Sequence, residues 1–569
     1  MATDRFLAPR GDGAASFAGG ITKLVYHVYP YRDSPTSRWP GYHNFGPAGF
    51  SNAWGPREPY WADAKLYNDY FARNQQVLTQ GDAKVDIAVY MQNYLYPEPW
   101  SIAGGFRIWR DTKLQEVGYT RDYLNPDMLD LPNAVVRSGR LAPDGPAYRA
   151  FVIDSEQEPR TDPLKTSMPV NVARKILGFA RAGLTVVVVG TPPDRTPGNT
   201  PADDAMLQSA IRDLLAEKSV RRVPHQADVP AMLRSLGIRP AAEPASPSPM
   251  LSVRRTDPAT RTDYYFLYNQ GVVTPKGEPE NLFEPATGEP LDREVSLEGQ
   301  GRPYLLDAWS GEITPIVNYT ANRDRVTLRV KLSPDNGLLI AISESARRFG
   351  VTAPAPQVTR TDAMDAVAAG GTAAIRANKP GTYTTVLGNG RTVRTPIGEV
   401  PAPIDLTGAT WELAAEDWQP ANPYETTFGP AAAQTLKSPV KVLLTGLKAW
   451  PDIPSLQHAS GTGAYTTTFE LPSGWTASHG AILNLGEVFD TFTLAINDKA
   501  VAIDQISAQA DIGPYLKPGR NTIAVRVATT LNNRLANLDE AVAQRGLIQR
   551  YGLIGPVVVT PYRRAAIPR

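Results

Sequence analysis

A chain of 569 residues is too long for one hydrophobic core, so roughly three to four domains are expected. Its 42% hydrophobic and 20% charged residues are those of a globular protein, and 58 basic against 57 acidic side chains leave +1, without the basic excess that nucleic acid or an anionic membrane selects. The chain has no cysteine, which excludes disulfides, thiolate metal sites and cysteine nucleophiles, and no apolar run nears the ~20 residues of a membrane span.

The first ten residues carry no apolar h-region, so no signal peptide is expected within this chain. In residues 21–30, Leu24, Tyr26 and Val28 alternate with Val25, His27 and Tyr29. Both faces are apolar or amphipathic, which predicts a strand buried on both sides of a parallel sheet. An aromatic loop follows, with Trp39, Tyr42, His43, Phe45, Trp54, Tyr60 and Trp61. Apolar spacing predicts a helix over 60–79, stopped by Gly81, and a strand over 85–90. Strand, decorated loop, helix, strand is the grammar of a (β/α) barrel, whose chemistry sits after the carboxyl ends of its strands. Residues 1–118 are therefore expected to form a partial (β/α)8-type barrel carrying the site.

Residues 119–245 predict a separate α/β domain. Strands at 148–154 and 184–190 flank a helix whose stripe is Val172, Ile176 and Phe179, as in a βαβ crossover. The Pro/Ser-rich run 241–249 is expected to be a linker. Beyond it the texture is all-β, with alternating strands at 264–269, 325–332 and 337–342 predicting a β-sandwich over 250–402. Strands at 463–470, 481–486, 492–497 and 521–527 predict a second β domain, a jelly roll, over 403–569.

The order of these modules resembles the C-terminal portion of glycoside hydrolase family 106, the α-L-rhamnosidases. The likeness rests on His27-Val28-Tyr29-Pro30, Trp39-Pro40-Gly41, Asn52-Ala53-Trp54-Gly55, and the helix from Tyr70 to Leu78 with Gly81 and Asp86. Asp122-Tyr123-Leu124-Asn125-Pro126-Asp127 is similar to the amidotransferase-like domain of barrel hydrolases; without cysteine it has no amidotransferase triad. Leu483 to Val488 and Leu516 to Asn521 resemble the galactose-binding-like jelly roll of β-galactosidase-type enzymes. The resemblance implies a carbohydrate substrate, hydrolysis of terminal rhamnosyl or related residues, and an extracellular location. It allows a calcium ion near the sugar, with no ligands assignable. It also implies that the catalytic carboxylates stand on earlier barrel strands, so that the chain is a fragment, is completed by a partner, or is a degenerate relative.

Glycoside hydrolysis generally needs two carboxyl groups flanking the bond. Glu58, in the aromatic loop, is the local candidate for a general acid; its bland alternative is a salt bridge with Arg57 or Arg38. His27, at a strand end, is a candidate proton shuttle or sugar-hydroxyl donor, the alternative being a core histidine. Aromatic rings beside a few polar groups suit the apolar faces of sugars, so His27, Tyr29, Trp39, His43, Trp54 and Arg57 are the expected substrate-holding set. Asp86, inside a strand, is read as a structural hydrogen-bonding group. Trp411, Trp418, Trp450 and His458 are read as packing residues before sugar ligands. Two alternatives stay open: a non-catalytic carbohydrate-binding or scaffold protein derived from such an enzyme, and a β-galactosidase-like hydrolase.

Overall fold

A computed structural model describes residues 14–26, 31–42, 55–91, 113–156, 166–198, 200–271, 288–351, 354–544 and 548–568. It is a mixed α/β and β-rich architecture. A five-stranded sheet runs in the order Arg121–Leu124, Ile87–Tyr90, Ala150–Asp154, Thr185–Val189, Val220–Val223, every pair parallel. Alternation along the strands serves both faces. Ala88, Phe151, Ile153, Val186 and Val188 pack on the helices Val170–Arg181 and Pro201–Ala216. Ile87, Val89, Val152, Val187 and Val189 pack on Leu114, Val229 and Leu233 of the opposite layer. Burial on both faces is why these strands read as continuous apolar runs.

Two sequence expectations for the first 118 residues are corrected here. Residues 21–26 form no strand: Val25 is 83% exposed, and the segment lies along a helix, where Leu24 N–H donates to Gln75 Oε1 at 2.9 Å and Tyr26 Oη to Asn68 Oδ1 at 2.5 Å. Residues 27–30 lie outside the described residues. The strand Ile87–Tyr90 exists, but its neighbours are Arg121–Leu124 and Ala150–Asp154, so the expected boundary at 118 falls inside one sheet. The described residues therefore form no partial barrel: the run 21–26 has no parallel neighbour to pair with.

The expected helix is Ala64–Leu78, entered through a 3-10 turn at Pro59–Asp63. Its buried stripe of Tyr67, Tyr70, Phe71 and Leu78 packs on Tyr264, Phe266, Leu339 and Trp309. Tyr70 stacks on Trp309 at 4.0 Å, and Arg73 Nη1 donates to the carbonyls of Ala308 and Trp309 at 2.8 Å each. After the helix, Gly81 has φ +52°, and a Cβ there would meet Thr256 O at 2.1 Å, so only glycine permits this close approach.

That helix covers one face of a six-stranded antiparallel sheet in the order Asp82–Lys84, Met250–Asp257, Thr262–Asn269, Gly337–Ser343, Arg302–Leu306, Ile313–Pro315. The opposite face, with Tyr265, Leu267, Ile340 and Ile342, packs on Val295, Leu297, Val326 and Leu328 of a four-stranded sheet. The expected linker is a second correction of organisation. Ala242–Pro244 is a strand paired with Val295, Ser296 and Leu297, and Ala241, Ala242 and Ser248 are buried, because the four-stranded sheet needs an edge strand there.

Glu298 lies between the two β layers and the parallel sheet. It pairs with Arg149 and, at 2.9 Å, with Arg254, which also holds Asp263 at 2.9 Å. Burial pushes the Glu298 carboxyl up, but the two arginines outweigh it and hold it down at about 2, against an ordinary 4.5. A depressed folded value means stabilisation present above about pH 4.5 and lost as pH falls toward 2, about 3 kcal/mol in all. Urea midpoints of the wild type are expected to fall over that window more steeply than those of Glu298→Gln; parallel curves would refute the linkage.

Among the described residues the remaining chain forms two antiparallel six-stranded sheets, a small three-stranded one and a two-stranded pair, Glu487–Phe489 with Gly552–Gly555. One large sheet runs Thr435–Leu444, Trp411–Pro420, Gly461–Leu471, Gly519–Ala528, Thr491–Ile496, Lys499–Val501. The other joins Asp365–Ala369 and Thr372–Ala377 to Val558–Ala566, His479–Asn484 and Gln509–Asp511, so strands on both sides of position 402 share it. The core between them holds Trp411, Trp450, Tyr465, Leu483 and Tyr551, with Trp450 Nε1 donating to Tyr465 Oη at 2.7 Å. Among the described residues no helix is long and apolar enough to cross a membrane.

Candidate functional site

The aromatic loop is built on an arginine. Arg57 is buried, and its Nη1 donates to the carbonyls of Arg32 and Tyr42, 3.0 Å each. The loop 31–42 closes round this guanidinium. Gly41 sits against it with φ +123°, where a Cβ would lie 2.5 Å from Arg57 Nη1 and 2.1 Å from Arg32 O. The guanidinium thus replaces the ladder bonds that a loop backbone lacks. Glu58 starts the 3-10 turn and is 1% exposed.

The loop is seated on the C-terminal β layers. Trp39, 2% exposed, packs with Trp418, Leu531 and Leu535, and its Nε1 donates to Thr435 Oγ1 at 3.1 Å. Arg38 lies over the rings of Tyr424 and Phe428, at 5.5 and 5.3 Å, and pairs with Glu425 at 3.7 Å. Asp63 makes the deepest link. Its carboxylate is buried, accepts from Thr491 Oγ1 at 2.5 Å and pairs with Arg526. Burial pushes its pKa up, against the pull of Arg526 and Thr491.

Beneath Leu531 and Leu535 lies a buried polar network. Thr530 Oγ1 donates to Gln549 Oε1 at 2.8 Å and, its one proton so placed, accepts from Tyr551 Oη at 2.7 Å. Asn533 Nδ2 donates to the Gln549 carbonyl at 2.7 Å, and the Gln549 N–H returns to Asn533 Oδ1 at 2.8 Å. Satisfied networks of this kind specify one backbone arrangement. Here the network holds the segment on which Trp39 rests.

These placements revise the expected site. Trp39 is a docking residue, corrected from a sugar platform, because its ring is enclosed by Trp418 and two leucines. Arg57 Nη1 is committed to two backbone carbonyls, and Glu58, the candidate general acid, is buried at 1% exposure. His27, Tyr29, His43 and Trp54 lie outside the described residues. Asp86 is a buried buttress: its Oδ2 accepts from Thr120 N–H and Oγ1 at 3.0 Å, and its Oδ1 from Ala241 N–H at 3.1 Å. Sequence reasoning missed the Asp63–Arg526 link and the Thr530 network. The polar run Thr529-Thr530-Leu531-Asn532-Asn533-Arg534, directly after an apolar strand, was the available signal for the network. Among the described residues no group of three His, Asp or Glu side chains could hold a metal ion, so the calcium that the resemblance allows has no ligand set there.

Residues 7–278 match the family model of glycoside hydrolase 106, described as alpha-L-rhamnosidase. Residues 440–541 match the sugar-binding domain of glycosyl hydrolases family 2. No curated protein matches the chain. Among solved structures, the rhamnosidase from Novosphingobium sp. PP1Y is similar at 18% identity and a TM-score of 0.63, covering 97% of this chain and 45% of that one. A β-glucuronidase from Faecalibacterium prausnitzii (20% identity, TM-score 0.19) covers 31% of this chain and 33% of its own. An α-L-fucosidase from Paenibacillus thiaminolyticus (12% identity, TM-score 0.31) covers 52% and 53%. The chain spans less than half the length of the rhamnosidase whose fold it shares. It thus matches glycoside hydrolase family 106 in sequence over residues 7–278 and a rhamnosidase in fold over 97% of its length.

Proposed function

We propose that this chain is part of an α-L-rhamnosidase-like glycoside hydrolase that acts outside the cell on terminal rhamnosyl or related residues of glycans. The observation that carries this reading is the family match over 7–278, which includes the whole aromatic loop. Within that reading the five-stranded parallel sheet is the amidotransferase-like unit, and the C-terminal pair of sheets is the galactose-binding-like jelly roll. His27, Tyr29, His43 and Trp54 are the substrate-holding candidates, flanking the described segment 31–42 in the sequence. The two carboxyl groups that the reaction needs are assigned outside the described residues.

The protein is expected to release the aryl group from an aryl α-L-rhamnoside and to leave the matching β-galactoside intact. Turnover of the galactoside alone would replace this reading with a β-galactosidase-like one. One observation favours the non-catalytic alternative for the 569-residue chain by itself: Glu58 is enclosed, and Trp39 and Arg57 are committed to holding the loop. Rhamnose binding by calorimetry without turnover of the rhamnoside would establish that alternative.

A further inference from the structure

We propose that a cleft on the C-terminal β layers, remote in sequence from the aromatic loop, binds an acidic saccharide: a pyranose bearing a carboxylate or sulfate. The proposal rests on the carbohydrate reading above but not on hydrolysis. The cleft has a volume of about 460 Å³, within the ~300–1,000 Å³ of small-molecule sites. It lies between the turn carrying Trp475 and His479, the turn carrying Lys517, and the last strand with Tyr562 and Arg564. Most of its lining falls in the segment that matches a sugar-binding domain.

Two features choose the ligand. The first is an apolar wall beside hydrogen-bond donors. The half-buried His479 ring stacks on the buried Trp475 at 5.1 Å with 28° between their planes, and Leu516 and Pro518 continue the wall. The Thr476 N–H donates to His479 Nδ1 at 3.1 Å, which leaves Nε2 of the neutral ring as the donor. Such a surface suits the C–H face and hydroxyls of a sugar. A bare inorganic anion needs neither the wall nor the volume.

The second feature is unbalanced positive charge. Lys517 and Arg564 line the cleft and form no ion pair with a described residue, and Arg563 stands near His479. No carboxylate lines the cleft. Asp511 borders it and is committed: it accepts from Tyr562 Oη at 2.7 and 3.0 Å and from Gly513 N–H at 3.0 Å, and pairs with Arg376 at 2.8 Å. Arg376 in turn holds Asp365. A ligand bearing an anionic group completes this arrangement through charge-assisted hydrogen bonds.

Isothermal titration calorimetry on the whole chain tests the proposal with four probes: tetragalacturonate, a sulfated galactose tetrasaccharide, a neutral tetrasaccharide and inorganic sulfate. The double variant Lys517→Ala/Arg564→Ala changes two exposed side chains and keeps the fold, checked by its melting temperature. One acidic tetrasaccharide is expected to bind at least tenfold more tightly than the neutral one and to lose at least tenfold in the double variant. Whichever acidic probe binds better identifies the anionic group. Equal binding of the neutral probe, unchanged affinity in the double variant, sulfate binding as tightly as the saccharides, or no saccharide binding would each overturn it. Binding heat needs no turnover, so a failed rhamnoside assay and a failed titration are separate results.

Discussion

Arg526→Ala is expected to destabilise the chain by about 3 kcal/mol, because it strands a buried carboxylate. The asymmetry of the pair decides which partner matters. The Asp63 side chain is 2% exposed and the Arg526 side chain 33%. Removing the arginine leaves Asp63 with Thr491 as its remaining partner in this link, whereas removing the acid lets the arginine reach water. Asp63→Asn is therefore expected to cost less, about 1 kcal/mol. The pH dependence supplies a second check. Burial already raises the Asp63 pKa, and losing Arg526 removes an opposing influence. A carboxyl whose folded pKa exceeds its unfolded one weakens the fold as pH rises through that interval. Urea midpoints of Arg526→Ala, relative to wild type, should thus recover on acidification from pH 7 toward 4. A deficit that is unchanged across this range would show that the loss comes from packing instead.

Trp39→Ala is expected to cost about 3 kcal/mol, as for a buried aromatic truncated in a packed cluster. The ring fills the space between Trp418, Leu531 and Leu535, and its Nε1 bond to Thr435 fixes the orientation. Trp39→Phe should recover most of the melting temperature, since it keeps the apolar contacts and loses one hydrogen bond. If Trp39 were instead a sugar platform, Trp39→Ala would leave the melting temperature unchanged and abolish rhamnose binding in calorimetry. The two outcomes are opposite, so one pair of measurements decides between docking and stacking.

The elements that were legible in the sequence share a property: their own spacing names their burial. Tyr67, Tyr70, Phe71 and Leu78 mark one face of a helix, and that face is the buried one. The run Thr185–Val189 reads as a strand covered on both sides, and helices cover both sides. The misread elements lacked this property. The run 21–26 is as apolar as a strand, but an apolar run becomes one only where neighbours offer backbone partners, and here a helix offers Gln75 and Asn68 side chains instead. The segment 241–249 has the composition of a linker, yet Ala242–Pro244 completes a sheet edge. At the candidate site, an aromatic residue in a loop suits a sugar face or a protein face equally well. Only the arrival of Trp418, Leu531 and Leu535, some 380 to 500 residues away in the chain, assigns Trp39 to the protein.

By itself the sequence determined that this is a multidomain, cysteine-free α/β and β-rich chain, where several of its longer helices and strands lie, and which glycosidase family it resembles. Those are matters of length, local periodicity and short motifs. The tertiary structure decided that Ile87–Tyr90 joins the parallel sheet, that Asp63 is answered by Arg526, and that Arg57 and Trp39 hold residues 31–42 against the C-terminal layers. Each of these joins groups far apart in sequence, or depends on which surface a side chain meets, and local pattern carries no information about the partner.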